Sequence, residues 1–224
     1  DRLHPADPDK LPGVTYDQTV YHVKISVVDA LNGTLAVTTT IDDDRLGTEV
    51  AFVNSYEAGP GSLATTSFGL TKALEGRDWD SSDAFTFELV GLYGAPMPAG
   101  AVDGKATANV GATDVSDGRA SFDFGQISYA ATGVYDYEVR EVAPDQPAGG
   151  MTYSTNVARF RVTVIDSVEQ GELVATARLT SGSATFVNTY RSELNYNAMG
   201  GLSVTKTLEG TSAPAGKFSF TVKP

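Results

Sequence analysis

Residues 134–142 read VYDYEVREV. Apolar and polar side chains alternate there with a period of two, as in a strand with one buried face. Tyr135, Tyr137 and Val139 fall on one side of such a strand, and Glu141 falls on that side with them. The same alternation runs through FTFEL (85–89), SFDFG (121–125) and RFRVTV (159–164), and SDGRA (116–120) supplies an Asp-Gly turn of the hairpin type. No long stretch has helical periodicity. The predicted fold is all-β, an Ig-like antiparallel β-sandwich.

The composition narrows the function. A chain of 224 residues with 41% apolar side chains has material for one or two domains with a substantial core. Its net charge of −12 repels phosphate backbones and anionic lipid heads, which argues against nucleic acid and membrane partners. No run approaches the length of a membrane-spanning helix, and direct membrane insertion is not expected. No signal peptide is present, so targeting and anchoring segments are expected outside this stretch. The absence of cysteine rules out disulfides, thiolate metal sites and cysteine nucleophiles. The only histidines, His4 and His22, lie near the beginning of the chain, which argues against a Ser-His-Asp hydrolase. No cofactor or metal is expected. The acidic loop IDDDR (41–45) lacks the spacing of an EF-hand and reads as a solvated turn. LPGVT (11–15) reads as a loop.

The chain also repeats itself. LTKALEG (70–76) returns as VTKTLEG (204–210), and AFVNSY (51–56) returns as TFVNTY (185–190). GVTYDQTVYHVKISVVD (13–29) matches GMTYSTNVARFRVTVID (150–166) at nearly the same step. A period of roughly 130 residues suits tandem whole domains rather than a solenoid. Within each period the lysine motif comes first and the asparagine motif last. We therefore expect a complete sandwich over 63–191, the C-terminal half of a preceding repeat over 1–58 and the N-terminal strands of a following one over 202–224. EAGPGS (57–62) and RSELNYNAMGG (191–201) read as linkers.

Strand parity then singles out three polar residues. Phe68, Leu70, Lys72 and Leu74 share a face, as do Phe186, Asn188 and Tyr190. Lys72, Glu141 and Asn188 thus occupy positions that the pattern assigns to the core. Taken singly, each has an ordinary reading: a snorkelling lysine at an edge, a rim glutamate, a turn-capping asparagine. Lys72 and Asn188 nevertheless recur at one fixed spacing, as Lys206 and Asn54.

Together the three make a reaction. Burial disfavours the ammonium and favours a neutral, nucleophilic amine, and it favours a protonated carboxyl. Lys72 can attack the Asn188 carboxamide carbon while Glu141 polarises the carbonyl and passes a proton to the departing nitrogen. Ammonia leaves and an amide joins the two side chains. Asn54 and Lys206 are the crosslink-type residues of incomplete units, and neither incomplete unit is expected to bond internally. Strand addition of 202–224 from one molecule to 1–58 of another would bring those two together.

LTKALEG, YDYEVREVAP and TFVNTY resemble the pilin isopeptide-linkage domains of Gram-positive surface proteins, the streptococcal major-pilin and collagen-adhesin B-type modules. That resemblance implies a lysine on the first strand bonded to an asparagine on the last, with a catalytic glutamate between them. Lys72, Asn188 and Glu141 match those positions, Glu141 rather than Glu138 because it fits the family's Tyr-x-Val-x-Glu pattern. YEVREVAPDQPAGG is similar to the pilin E-box but lacks its Gly-Tyr ending. The resemblance implies a non-enzymatic stalk or shaft module of an extracellular, cell-wall-anchored protein, partnered by neighbouring repeats. The alternative is an adhesin module that binds a host surface protein, matrix ligand or glycan, with 93–118 as the segment to search.

Overall fold

The structure, a computed structural model, describes residues 2–3, 11–41, 45–46, 49–193, 200, 204–207 and 219–221. The chain forms two compact units, 1–190 and 191–224. The first begins with β1 (Arg2–Leu3), β2 (Val14–Thr15), β3 (Tyr21–Asp29), β4 (Leu35–Ile41), β5 (Arg45–Leu46) and β6 (Ser55–Tyr56). Strands β1, β3, β4 and β5 make one antiparallel sheet, and β2 pairs with β6. The middle of the acidic loop, 42–44, lies outside the described residues.

Twelve further strands follow: β7 (Gly61–Ala64), β8 (Thr71–Glu75), β9 (Ala84–Gly91), β10 (Lys105–Gly111), β11 (Val115–Ser116), β12 (Arg119–Ser121), β13 (Gln126–Tyr129), β14 (Gly133–Val142), β15 (Met151–Thr152), β16 (Val157–Ser167), β17 (Glu172–Ser181) and β18 (Thr185–Tyr190). One sheet has the order β10-β9-β14-β16-β17, and the other has the order β11-β12-β8-β18-β15. The all-β sandwich expected from the alternation is present. Its first sheet is antiparallel throughout. In the second, the first and last strands, β8 and β18, lie side by side and parallel, with Lys72 opposite Phe186 and Asn188 opposite Leu74. The Asp-Gly turn closes the β11–β12 hairpin, with positive φ at both Asp117 and Gly118 as a two-residue turn of that kind requires.

The core is aromatic at the level of the three polar residues. Phe87 stacks on Phe122 with ring centroids 4.1 Å apart and meets Phe186 edge-on at 5.2 Å. Tyr137 and Val139 of β14 are buried on the face that also carries Glu141, as the parity of the strand requires. Farther along the core, the Tyr129 and Tyr137 hydroxyls lie 3.1 Å apart, and Tyr137 donates to the Pro96 carbonyl.

The expected strands are interrupted in two places. Phe68 belongs to a 3₁₀ turn over Thr65–Phe68, and Gly69 in the left-handed region separates it from β8. Phe68 is buried, but from a turn rather than from the lysine strand. SFDFG leaves the ladder after Ser121. The Thr65 hydroxyl donates to the Gly125 carbonyl and accepts the Phe124 N–H, so this segment bends out of the sheet and then enters β13. The glycine that ends LTKALEG has a steric reason. A Cβ on Gly76 would collide with the Tyr190 carbonyl oxygen at the end of β18.

The leading segment is fastened to the sandwich. The Tyr56 hydroxyl donates to Asp166 at 2.6 Å, and Gly59 exchanges backbone hydrogen bonds with Gly171 and Leu173. Gly171 packs so closely on Pro12 and Gly13 that a side chain there would meet their backbone. In the unit 191–224, Lys206 lies in the exposed stretch 204–207, which is not in a strand.

Candidate functional site

Lys72, Glu141 and Asn188 converge between the two sheets. Adjacent strands β8 and β18 present the lysine and asparagine from one sheet, and β14 presents the glutamate from the other. Lys72 and Asn188 are 0% exposed and Glu141 is 8% exposed. The Lys72 Nζ donates to Glu141 Oε2 at 3.0 Å, and the Asn188 Nδ2 donates to Glu141 Oε1 at 2.6 Å. One carboxyl group thus holds the amine with one oxygen and the amide nitrogen with the other. Glu138, by contrast, pairs with Arg159 on the solvent side of the sheet.

The surroundings oppose the ammonium. Burial pushes the Lys72 amine below its ordinary pKa; Glu141 pulls it back up, but burial is the larger effect. The Phe85 ring lies 4.5 Å from the nitrogen and gives it a π face instead of water. Such a lysine has a reduced cost of losing its proton and a base 3.0 Å away to take it.

The carboxamide oxygen is placed differently from expectation. The reaction read from the three residue types has Glu141 polarise the carbonyl; in the structure Glu141 meets the amide nitrogen instead. The Asn188 Oδ1 accepts the backbone N–H of Ser154 at 2.8 Å. The cause is the short ladder in which Met151 and Thr152 pair with Tyr190 and Thr189, which lays the backbone after β15 alongside Asn188. Ser154 and Phe85 were not singled out from the sequence. For Ser154 a signal existed, since TYS (152–154) repeats TYD (15–17).

In the leading segment, Asn54 is exposed and its Oδ1 accepts the backbone N–H of Asp17 at 3.0 Å. Among the described residues, its neighbour β6 pairs only with β2. No lysine strand corresponding to β8 lies beside it there. Among the described residues no cluster of His, Asp and Glu could hold a metal ion.

The triad can transfer a proton from an amine to an amide nitrogen through one carboxyl, which is what transamidation between side chains requires. A family model for the Spy0128-like isopeptide-containing domain matches residues 5–57 and 68–191. The chain belongs to that family. Membership supports a structural, pilin-type role, and the family's fold is generally non-enzymatic. Among solved structures, the chain is similar to the major pilin of Streptococcus pyogenes, with 16% identity over 84% of this chain and 68% of that one and a TM-score of 0.24. The T-13 major pilin of the same species gives 17% identity over 83% of this chain and 63% of that one, with a TM-score of 0.22. No curated protein matches the chain.

Proposed function

We propose that residues 63–191 form a self-crosslinking structural module, in which Lys72 and Asn188 join through an amide and release ammonia. The observation that carries this reading is the single buried carboxyl group of Glu141, bonded at 3.0 Å to the nucleophile and at 2.6 Å to the leaving nitrogen. Lys72 gives a proton to Oε2, and the neutral amine attacks Cγ of Asn188. The C–Nδ2 bond breaks as Glu141 passes that proton from Oε1 to the departing nitrogen, and the carboxylate so regenerated takes the second proton from the attacking nitrogen, leaving a neutral amide, ammonia and a protonated Glu141. Atoms balance as amine plus carboxamide gives secondary amide plus ammonia. The groups are held together within a dry core, so the reaction avoids the entropic cost that defeats it between free amides in water. It is a single turnover, and the module is not an enzyme.

The crosslink would close a loop of roughly a hundred residues, worth about 4–5 kcal/mol by the chain-entropy relation. Its mechanical consequence follows from the parallel pairing of β8 and β18. Tension applied through the two ends would cross from one strand to the other through the amide, leaving the intervening residues unloaded. This suits a shaft or stalk on the surface of a Gram-positive cell, anchored to the wall outside this stretch and built from neighbouring repeats, with 1–58 and 202–224 belonging to the units on either side. The firm contact between the leading segment and the sandwich fits such a rod. The host-ligand reading gains little support. The 93–118 segment contributes β10 to one sheet and β11 to the other.

Intact-mass measurement of the purified chain is the test. A mass lower than calculated by one ammonia, mapped to a peptide containing Lys72 joined to one containing Asn188, is expected. The full calculated mass would sink the proposal.

A further inference from the structure

The turn and the ladder around Tyr153 recur around Tyr16. In the complete sandwich, Ala148 accepts the Met151 N–H across a turn with Gly150 at φ 79°. In the leading segment, Leu11 accepts the Val14 N–H across a turn with Gly13 at φ 73°. A positive φ at the third position of such a turn is what glycine supplies. Each tyrosine hydroxyl then reaches back to the first residue of its turn: Tyr153 accepts the Ala148 N–H at 3.4 Å, and Tyr16 accepts the Leu11 N–H at 2.9 Å. Each short ladder repeats its register, Met151 with Tyr190 and Val14 with Tyr56. The residue after each tyrosine points its N–H at an asparagine side-chain oxygen, at 2.8 Å for Ser154 and 3.0 Å for Asp17.

The second copy is informative because its setting is different. Asn54 is exposed, and among the described residues neither a lysine strand nor a glutamate accompanies it. The N–H nevertheless finds the same oxygen. Burial and the carboxyl group are therefore not what puts it there. The glycine turn, the tyrosine and the short ladder are what the two copies share; in the leading copy the Asp17 side chain also accepts the Val53 N–H at 2.8 Å.

We propose that the Ser154 backbone N–H is the oxyanion donor of the crosslinking reaction, preset by the Tyr153 turn before the lysine strand is in place. This rests on the reading of Lys72 and Asn188 as the reacting pair. When the Lys72 nitrogen bonds to Cγ of Asn188, the carbonyl π pair moves onto Oδ1, and the charge forms where the Ser154 N–H already points. When the C–Nδ2 bond breaks, that pair returns and the carbonyl re-forms. The donor needs no reorganisation as charge develops, which is the condition under which such hydrogen bonds accelerate acyl transfer most. It has a second effect: with Oδ1 held by Ser154, the leaving nitrogen must face Glu141. Ser154 is thus a catalytic donor through its main chain, and Tyr153 is a positioning residue.

The test compares two full-length chains made by cell-free synthesis and chased by intact mass. One carries Ser154→Ala, which keeps the N–H; the other carries lactic acid at 154, which differs from it only by an ester oxygen in place of that N–H. Ser154→Ala is the reference for the ester chain, because both lack the hydroxyl that accepts the Asn156 N–H and only one keeps the backbone N–H. The ester chain, folded by circular dichroism, should lose ammonia about 10²–10³ times more slowly, with the pH dependence keeping its shape. Equal rates in the two chains would overturn the assignment, and so would a Ser154→Ala chain as slow as the ester. If the ester chain does not fold, Tyr153→Phe decides: several-fold slower loss at unchanged secondary structure supports the preset donor, and an unchanged rate rejects it. A wild-type chain that never loses ammonia would instead remove the underlying crosslink.

Discussion

Strands β16 and β3 carry the same pattern of apolar and polar residues, RFRVTVID (159–166) and HVKISVVD (22–29), in different environments. Val162 and Val164 are 0% and 2% exposed, while their counterparts Ile25 and Val27 are 64% and 54% exposed. What differs is the sheet that faces them. In the sandwich, β8, β12 and β18 cover the inner face; among the described residues of the leading segment, no equivalent of β8 does so. The asparagine module at the end of each unit keeps its form in both settings. Presentation of the carboxamide is therefore a local property of some forty residues, whereas burial and the other two members of the triad, the amine and the carboxyl, are properties of a whole sandwich.

The largest expected effect comes from treating the two asparagines alike. Wild type should be lighter than calculated by one ammonia. Asn188→Ala should have its full calculated mass and unfold with about 4–5 kcal/mol less stability. Asn54→Ala should keep the mass deficit and lose less than about 1 kcal/mol, as expected of an exposed site with one hydrogen bond. Peptide mapping and denaturant titration read both. A mass deficit that survives Asn188→Ala would mean the reactive pair lies elsewhere.

The second comparison is between two glutamates on one strand. Glu141→Ala removes the group that holds both reacting nitrogens, so the ammonia should be retained and the melting temperature should fall. Glu138→Ala, three residues away on the outer face, should crosslink as wild type, since it loses only a solvent-exposed pair with Arg159. A Glu141→Ala chain that still crosslinks fully would deprive that residue of its role.

Much of this site could be read from strand parity. Glu141 lies two residues beyond Val139 and Lys72 two beyond Leu70, and period-two alternation put both inside without any knowledge of pairing. The repeat then linked Lys72 with Asn188. The strand reading, rather than the side each residue faces, gave way at two places: Phe68 is buried from a 3₁₀ turn, and beyond Ser121, where Thr65 captures the chain, Phe124 is still buried. Two features leave no local trace. The parallel contact of β8 with β18 joins residues far apart in the chain, so no window contains it. A backbone donor such as the Ser154 N–H on Asn188 Oδ1 has no residue type, and its mark in the sequence is only the tyrosine and glycine of the turn before it.

The contrast between buried and open strands gives a third, smaller pair. Val162→Ala should cost roughly 2 kcal/mol, because it opens a cavity in a packed core. Ile25→Ala, at a position already in water, should stay within about 0.5 kcal/mol. Thermal unfolding read separately for the two regions measures this. A comparable loss at Ile25 would show that the exposed face of β3 is covered in solution.

The smallest effect concerns protons and separates a consumed amine from an intact one. In Asn188→Ala the Lys72 amine survives, buried, with its pKa below the ordinary 10.5. Between that depressed value and 10.5 the unfolded chain binds more protons at this site than the folded chain does. Stability contributed by this group must therefore rise with pH across that window and level off above it. Below the depressed value the folded state bears the full cost of burying an ammonium, moderated by Glu141. Once joined to Asn188 in the proposed crosslink, the Lys72 nitrogen is an amide nitrogen that does not titrate, so wild type should lack this rise. Denaturant titrations from neutral pH upward, with the Lys72→Met/Asn188→Ala double variant subtracting all other groups, isolate the site. The same rise in wild type would mean that Lys72 still carries a free amine.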